Sequence, residues 1–180
     1  MIKLHLGCGG KNIEGFINID ARDIPGVDQV DDIKTLSKYK ANSVDLIYAS
    51  HVLEHVGRLE YMDVLKRWHE ILKIGGTLRI AIPDVEQVFN HYQKFGNLKV
   101  LRGLLWGGQK NSFDYHCIGW DFKIIQEDLK EIGFVDIERY DWRKTEHSHI
   151  DDYSQCYLPH MNKENGMLMS LNVEAKKGTR

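Results

Sequence analysis

Four stretches of this chain hold residues able to do chemistry, and each lies where an apolar run ends. Leu4 and Leu6 lead into Gly7-Cys8-Gly9-Gly10, where glycines take dihedrals that other residues resist and let a ligand approach the main chain closely. Phe16-Ile-Asn-Ile-Asp20 and Val27 to Ile33 carry carboxylates at their ends, Asp20 and the pair Asp31-Asp32, and Val44 to Ala49 runs into Ser50-His51. An acid closing the second strand of such a series is placed to accept hydrogen bonds from ribose hydroxyls, so Asp20 points to a nucleoside-containing cofactor. Counted from Gly7, the third glycine of a dinucleotide fingerprint falls on Asn12, and no G-x-x-x-x-G-K-[ST] loop is present. The turn therefore has no pyrophosphate to hold.

His51 and His55 stand one helical turn apart with Glu54 between them, a spacing that invites a metal reading. The residue after His51 is Val52, not the glutamate of a metalloprotease helix, and no third ligand is evident along the chain. We therefore expect no metal, and expect these histidines to line a cofactor pocket or to be satisfied at a helix start. The run His147-Ser-His-Ile-Asp-Asp152 has the residue types of a ligand cluster, but a solvated loop is the expectation.

The elements that position these residues follow from pattern. Short strands are expected at the four apolar runs, with Ser50 as a possible cap of a following helix. Tyr61, Leu65, Trp68 and Leu72 share one helical face within Leu59 to Lys73, with Gly75-Gly76 as a stop. Thr77 to Ile82 reads as a fifth strand, and Val85, Val88, Phe89 and Tyr92 mark a helix after Pro83-Asp84. Asp121 caps a helix bearing Phe122, Ile125, Leu129 and Ile132, closed by Gly133; Phe134 to Tyr140 and Leu168 to Ala175 read as strands, and Lys176 to Arg180 as a frayed tail. Residues 96–120 and 143–166 show no sustained period and read as long insertions. Alternating strands and helices imply a doubly wound α/β sheet in one unit over 1–180.

With 180 residues, 42% hydrophobic and 28% charged, the chain suits one globular core. A formal charge of −2 gives no overall pull toward nucleic acid or anionic membrane. No apolar run approaches the roughly 18 residues of a membrane span, and the strand-like start leaves no room for a signal peptide, so a cytoplasmic protein is expected. The three cysteines, Cys8, Cys117 and Cys156, show no C-x-x-C spacing and read as reduced thiols.

Leu4-His-Leu-Gly-Cys-Gly-Gly10, Ser50-His-Val-Leu-Glu-His55 and Leu72-Lys-Ile-Gly-Gly76 together resemble class I S-adenosylmethionine-dependent methyltransferases of the small type 11-like subgroup. The resemblance implies a Rossmann-like, seven-stranded, mostly parallel sheet of order 3-2-1-4-5-7-6, strand 7 antiparallel, with helices on both faces. It places Gly7, Cys8 and Gly9 beside the methionine end of S-adenosylmethionine, Asp20 at the ribose, Asp32 and Ile33 on the adenine side, and Ser50 and His51 along the cofactor. Lys11 stands where many members have a third glycine, and His5 where many have an acid. The acceptor side falls in Gly107 to Gly119, which resembles a GGQ…Y-H-x-x-G stretch of members encoded among polysaccharide-biosynthesis functions.

On that resemblance the reaction expected is methyl transfer to a hydroxyl of a small molecule, a sugar or glycan precursor, with no nucleic-acid partner. A neutral histidine is suited to take the hydroxyl proton, which makes His116 the candidate base, with Asp114 or Gln109 as orienters. The plainer role for His116 is to tie its loop down. Gln109, Tyr115 and Trp120, with Trp106 and Tyr157, are candidates for the acceptor wall. The alternatives are a catalytically degenerate binding module, motivated by Lys11 and His5, and a methyltransferase acting on protein or nucleic acid; for the last, the expected [DN]-P-P-[YF] motif is replaced by Tyr48-Ala-Ser-His51.

Overall fold

In the computed structural model, which describes residues 1–179, the apolar runs pair in register as a central sheet. Strands β1 (Lys3–Leu6), β2 (Ile17–Asp20), β3 (Gln29–Val30), β4 (Val44–Ser50) and β5 (Leu72–Pro83) are parallel, in the order β3-β2-β1-β4-β5. Beyond β5 lies β9 (Ser170–Lys177), antiparallel to both β5 and the edge strand β6 (Phe134–Arg139). Since β7 (Tyr157–Leu158) and β8 (Met167–Leu168) form a separate hairpin, β9 is the seventh strand of this sheet, and the order 3-2-1-4-5-7-6 holds.

Helix α1 (Tyr61–Ile71) turns Val64, Leu65, Trp68 and Ile71 into the core, where they meet Leu6, Ile47, Ile80 and Val173 of the sheet. Full burial of residues of this size contributes about 2 kcal/mol each. The helix ends before the Gly75-Gly76 stop, because Leu72 is already extended and opens β5. Helix α2 (Val85–Phe95) starts on Asp84, whose carboxylate accepts from Gln87 N at 3.2 Å. Helix α4 (Phe122–Ile132) starts on Asp121 and ends at Gly133, whose φ of +113° favours glycine. It packs beside α1 on the same face.

The other face of β1 and β4 is covered differently. Residues 7–16 connect β1 to β2 as turns with no helix, and Ile13 and Phe16 pack there on Leu46 and Tyr48. Residues 140–152 complete this cover, with His147 against Tyr48 at a ring separation of 4.0 Å.

Several expectations are corrected. Ser50 ends β4 and caps nothing; the chain continues through His51 into a single 3-10 turn, Leu53–His55, with no side-chain cap. Within 96–120 the chain forms a 3-10 turn at Leu98–Leu101 and the short helix α3 (Arg102–Trp106). His147 and Asp152 are buried, so their segment is a packed cover and not a solvated loop, while His149 stays exposed. Lys176 and Lys177 belong to β9; Lys177 donates to Asn42 Oδ1, Glu70 O and Leu72 O, which anchors the expected tail, while Arg180 lies outside the described residues.

Candidate active site

The carboxyl ends of β1, β2 and β4 bring the glycine turn, Asp20 and Ser50-His51 to one edge. Gly7 and Gly9 adopt φ of +60° and +58°, and a side chain at Gly7 would run into Val52. The turn is thereby held against the residue that follows His51. Around Gly9 a side chain would meet nothing closer than 3.9 Å, so the main chain there is open to approach. Cys8 is buried, and its N–H donates to Ile19 O, which ties the turn to β2. Lys11 lies outside this edge and donates to Asp151 O. His5 faces the opposite sheet face, buried, bonded through Nδ1 to Asn18 Oδ1 at 3.0 Å.

Asp20 is buried, and its carboxylate accepts from Gly9 N at 2.9 Å, Arg22 N at 3.0 Å, Arg22 Nε at 2.9 Å and a second guanidinium nitrogen of Arg22 at 3.2 Å. These bonds outweigh burial and hold its pKa below the usual carboxylate range. A carboxylate has about four acceptor sites, and these bonds occupy them, so a further donor reaches Asp20 only when Arg22 swings away. Arg22 was not singled out from sequence, though its position two residues past a strand-end acid was a signal. Asp32 is exposed, two residues past β3, and its side chain accepts from Lys34 N; Ile33 is part-buried against the core and its carbonyl accepts from Trp68 Nε1. Ser50 Oγ is buried with no hydrogen-bond partner.

After β4 the backbone passes through His51 at φ +53°, an unusual conformation for a residue with a side chain. This kink turns His51, Glu54 and His55 toward the segment that carries His116. Glu54 is fully buried, and neither carboxylate oxygen has a hydrogen-bond partner. Burial pushes its pKa up to about 8. His51 Nδ1 lies 3.3 Å from Glu54 Oε1 and His116 Nε2 3.9 Å from the same oxygen. Burial, with His116 and His55 nearby, holds the His51 pKa down to about 3.

The tautomers follow from the partners. His55 Nδ1 lies 3.0 Å from Tyr115 O and His116 Nδ1 2.9 Å from Leu104 O, so each Nδ1–H donates to a carbonyl and leaves a lone pair on Nε2. Ser170 donates its hydroxyl to Asn172 Oδ1, so His51 Nε2–H must donate to Ser170 Oγ at 3.2 Å, leaving its lone pair on Nδ1, toward Glu54. Sequence reasoning placed Glu54 between two histidines and stopped there. His116 is the third group that chain order did not reveal.

The expected orienters do not touch His116 by hydrogen bonds. Leu104 O does that work, whereas Asp114 accepts from Gly108 N and Lys110 N and shapes the loop, and the Gln109 side chain donates to Trp106 O. Tyr115 and Trp106 are about half exposed beside this loop. Trp120 is corrected: it is wholly buried, edge-on to Tyr61, with Nε1 donating to Asp128 Oδ2 at 3.1 Å, which makes it a core residue and not an acceptor wall. Tyr157 is also buried, its hydroxyl accepting from Trp142 and Arg143. A cleft of about 300 Å³ lined by Arg102, Trp106 and Gly107 to Gln109 lies in the same segment. A larger one of about 380 Å³, lined by Lys3, Asp45 and Gly75 to Thr77 among others, lies at the amino ends of the strands and away from this chemistry.

Residues 13–80 match the family model described as a methyltransferase domain. No protein of curated function matches the sequence. Solved structures similar to this fold include a Haloferax volcanii methyltransferase in complex with the Trm112 methyltransferase activator, at 16% identity and TM-score 0.58, covering 98% of this chain and 82% of that one. An S-adenosylmethionine-dependent methyltransferase from Archaeoglobus fulgidus is similar at 15% identity and TM-score 0.57, covering 97% and 85%. A Burkholderia thailandensis 1,6-didemethyltoxoflavin N1-methyltransferase, with its toxoflavin precursor and S-adenosylhomocysteine bound, is similar at 13% identity and TM-score 0.60, covering 98% and 71%. At these identities the likeness is one of fold.

Proposed function

We propose that the chain is a methyltransferase of the type 11 kind that uses S-adenosylmethionine to methylate a hydroxyl of a small molecule, a sugar or glycan precursor in polysaccharide biosynthesis, in the cytoplasm; the match of residues 13–80 to a methyltransferase domain and the strand order support this reading. The observation that carries the hydroxyl reading is the tautomer of His116. Its Nδ1–H is spent on Leu104 O, so Nε2 holds a lone pair at the carboxyl edge of the sheet, able to take a proton. The sugar reading rests on the resemblance of Gly107 to Gly119 and is supported by the half-exposed rings of Trp106 and Tyr115, which suit stacking on a pyranose face.

The residues present fit the donor. Gly9 offers open main chain, Ser50 Oγ is a buried hydroxyl lacking a partner, and Asp20 closes β2 once Arg22 releases it. When bound, the sulfonium supplies an electrophilic methyl group. The protein's part is alignment: Gly7 to Gly9, Asp20, Asp32, Ile33, Ser50 and His51 hold the donor, while Gln109, Tyr115 and the His116 loop hold the acceptor, and alignment supplies much of the rate of an in-line displacement.

The occupied acceptor sites of Asp20 favour one other reading, a methyltransferase-fold module that binds a partner and no longer turns over. Calorimetry with S-adenosylmethionine, followed by transfer of labelled methyl to a panel of nucleotide sugars and oligosaccharides, separates the two. Binding in the micromolar range with labelled sugar product is expected; binding with no transfer to any hydroxyl compound sinks the hydroxyl assignment, and no binding at all favours the module.

A further inference from the structure

Around Glu54 the acceptors outnumber the protons. Its carboxylate oxygens have no hydrogen-bond partner, although the residue is fully buried. The nearest polar atoms of its neighbours are also acceptors: His51 Nδ1 at 3.3 Å and His116 Nε2 at 3.9 Å, each left with a lone pair because the other ring nitrogen donates elsewhere. His55, edge-on to His116 with ring centres 4.8 Å apart, is in the same condition, its Nδ1–H committed to Tyr115 O. Glu54, His55 and His116 each bring one ligand atom within 4.8 Å of the others. Burying unpaired acceptors against one another costs free energy unless something positive sits between them.

A proton on Glu54 relieves only one of these contacts, the one to His51. A cation held between Glu54, His55 and His116 relieves the contacts among those three. The outer partners also have the form metal-binding histidines take, with the non-ligating Nδ1–H of both His55 and His116 fixed by a backbone carbonyl. We propose that Glu54, His55 and His116 bind a divalent transition-metal cation, with His51 as a neighbouring nitrogen. Two imidazoles and one carboxylate suit zinc, manganese, iron or cobalt better than calcium. His55 is partly exposed and Glu54 is not, so the site has a closed floor and an open side. The cation site stands on the geometry of Glu54, His55 and His116 and does not depend on the hydroxyl reading. Cation binding occupies the Nε2 lone pair of His116, so His116 serves as the base proposed above only in the metal-free protein.

The test is titration of the full chain, freed of metal by chelation, with Co²⁺ followed by visible absorption, and with Zn²⁺ by calorimetry. About one equivalent is expected, with ligand-field bands distinct from those of the aqueous ion. Glu54→Gln, which keeps shape, and His55→Gln, on the exposed side, are each expected to weaken binding at least about 100-fold, the upper loss seen when only an outer-shell partner is removed. His160→Gln, exposed and far in sequence, should leave it unchanged. Absence of a stoichiometric Co²⁺ spectrum in the folded wild type overturns the proposal, as does a spectrum that persists in both variants. Because the readout is the cation, a chain that binds Co²⁺ but methylates no hydroxyl would separate this inference from the acceptor assignment.

Discussion

On the sheet face covered by residues 140–152, His147 has both ring nitrogens engaged: Nε2 accepts from Arg79 at 3.2 Å, and Nδ1 lies 3.5 Å from Thr145 Oγ1, which itself donates to Trp142 O. Its ring sits on Tyr48, whose hydroxyl donates to Asp152. At the carboxyl edge, His51, His55 and His116 point lone pairs at or near an unpartnered Glu54. Both regions set histidine rings against buried polar groups. The difference is that the ring nitrogens of His147 find partners of the right kind, whereas those aimed at Glu54 meet another acceptor. A satisfied polar network rigidifies a fold, whereas buried acceptors left facing one another are costly until a proton or a cation joins them.

The largest effect expected from breaking this contrast is at His116. In the metal-free protein, His116→Ala should lower methyl transfer by about 10²–10⁴-fold while donor affinity stays within a few-fold, because His116 meets Leu104 O and Glu54 and not Asp20. Steady-state kinetics beside calorimetry checks this, and turnover unchanged in the variant would return His116 to the role of a loop tie.

His147 should answer to pH through stability. Burial, reinforced by Arg79, depresses its pKa to about 4, with Asp152 and Glu146 opposing and His5 adding to the depression. The unfolded chain binds a proton near pH 6.5 and the folded chain does not until about pH 4. Stability from this residue is therefore fully present above pH 6.5 and is lost as pH falls from there toward 4, by about 3 kcal/mol. Denaturant melts of wild type and His147→Gln between those limits check the sign; an identical pH dependence in both would mean that burial and Arg79 do not depress the His147 pKa.

The smallest effect concerns Arg22, whose bonds to Asp20 a ribose would have to open on the reading proposed above. An ion pair with a half-exposed arginine is worth about 1 kcal/mol or less. Arg22→Ala should then tighten S-adenosylmethionine binding by up to about fivefold. Weaker binding in the variant would show instead that Arg22 helps hold the donor.

The sequence by itself determined the strands, the turn chemistry at their ends and the sheet order, through the resemblance of LHLGCGG and SHVLEH and through helical period in α1, α2 and α4. Those signals are local: a glycine at positive φ, an aspartate bonded three residues ahead, an apolar face repeating every turn. Tertiary structure decided what each functional side chain meets. Trp120 looked like a wall and is core because Tyr61 and Asp128 close over it, and His147 looked solvated and is roofed by its own segment. Glu54 and His116 meet only because α3 and the loop after it fold back over the turn that follows β4, where Cys117 N donates to Glu54 O. Whether a polar group is paired depends on residues far away in the chain, so no local pattern carries it.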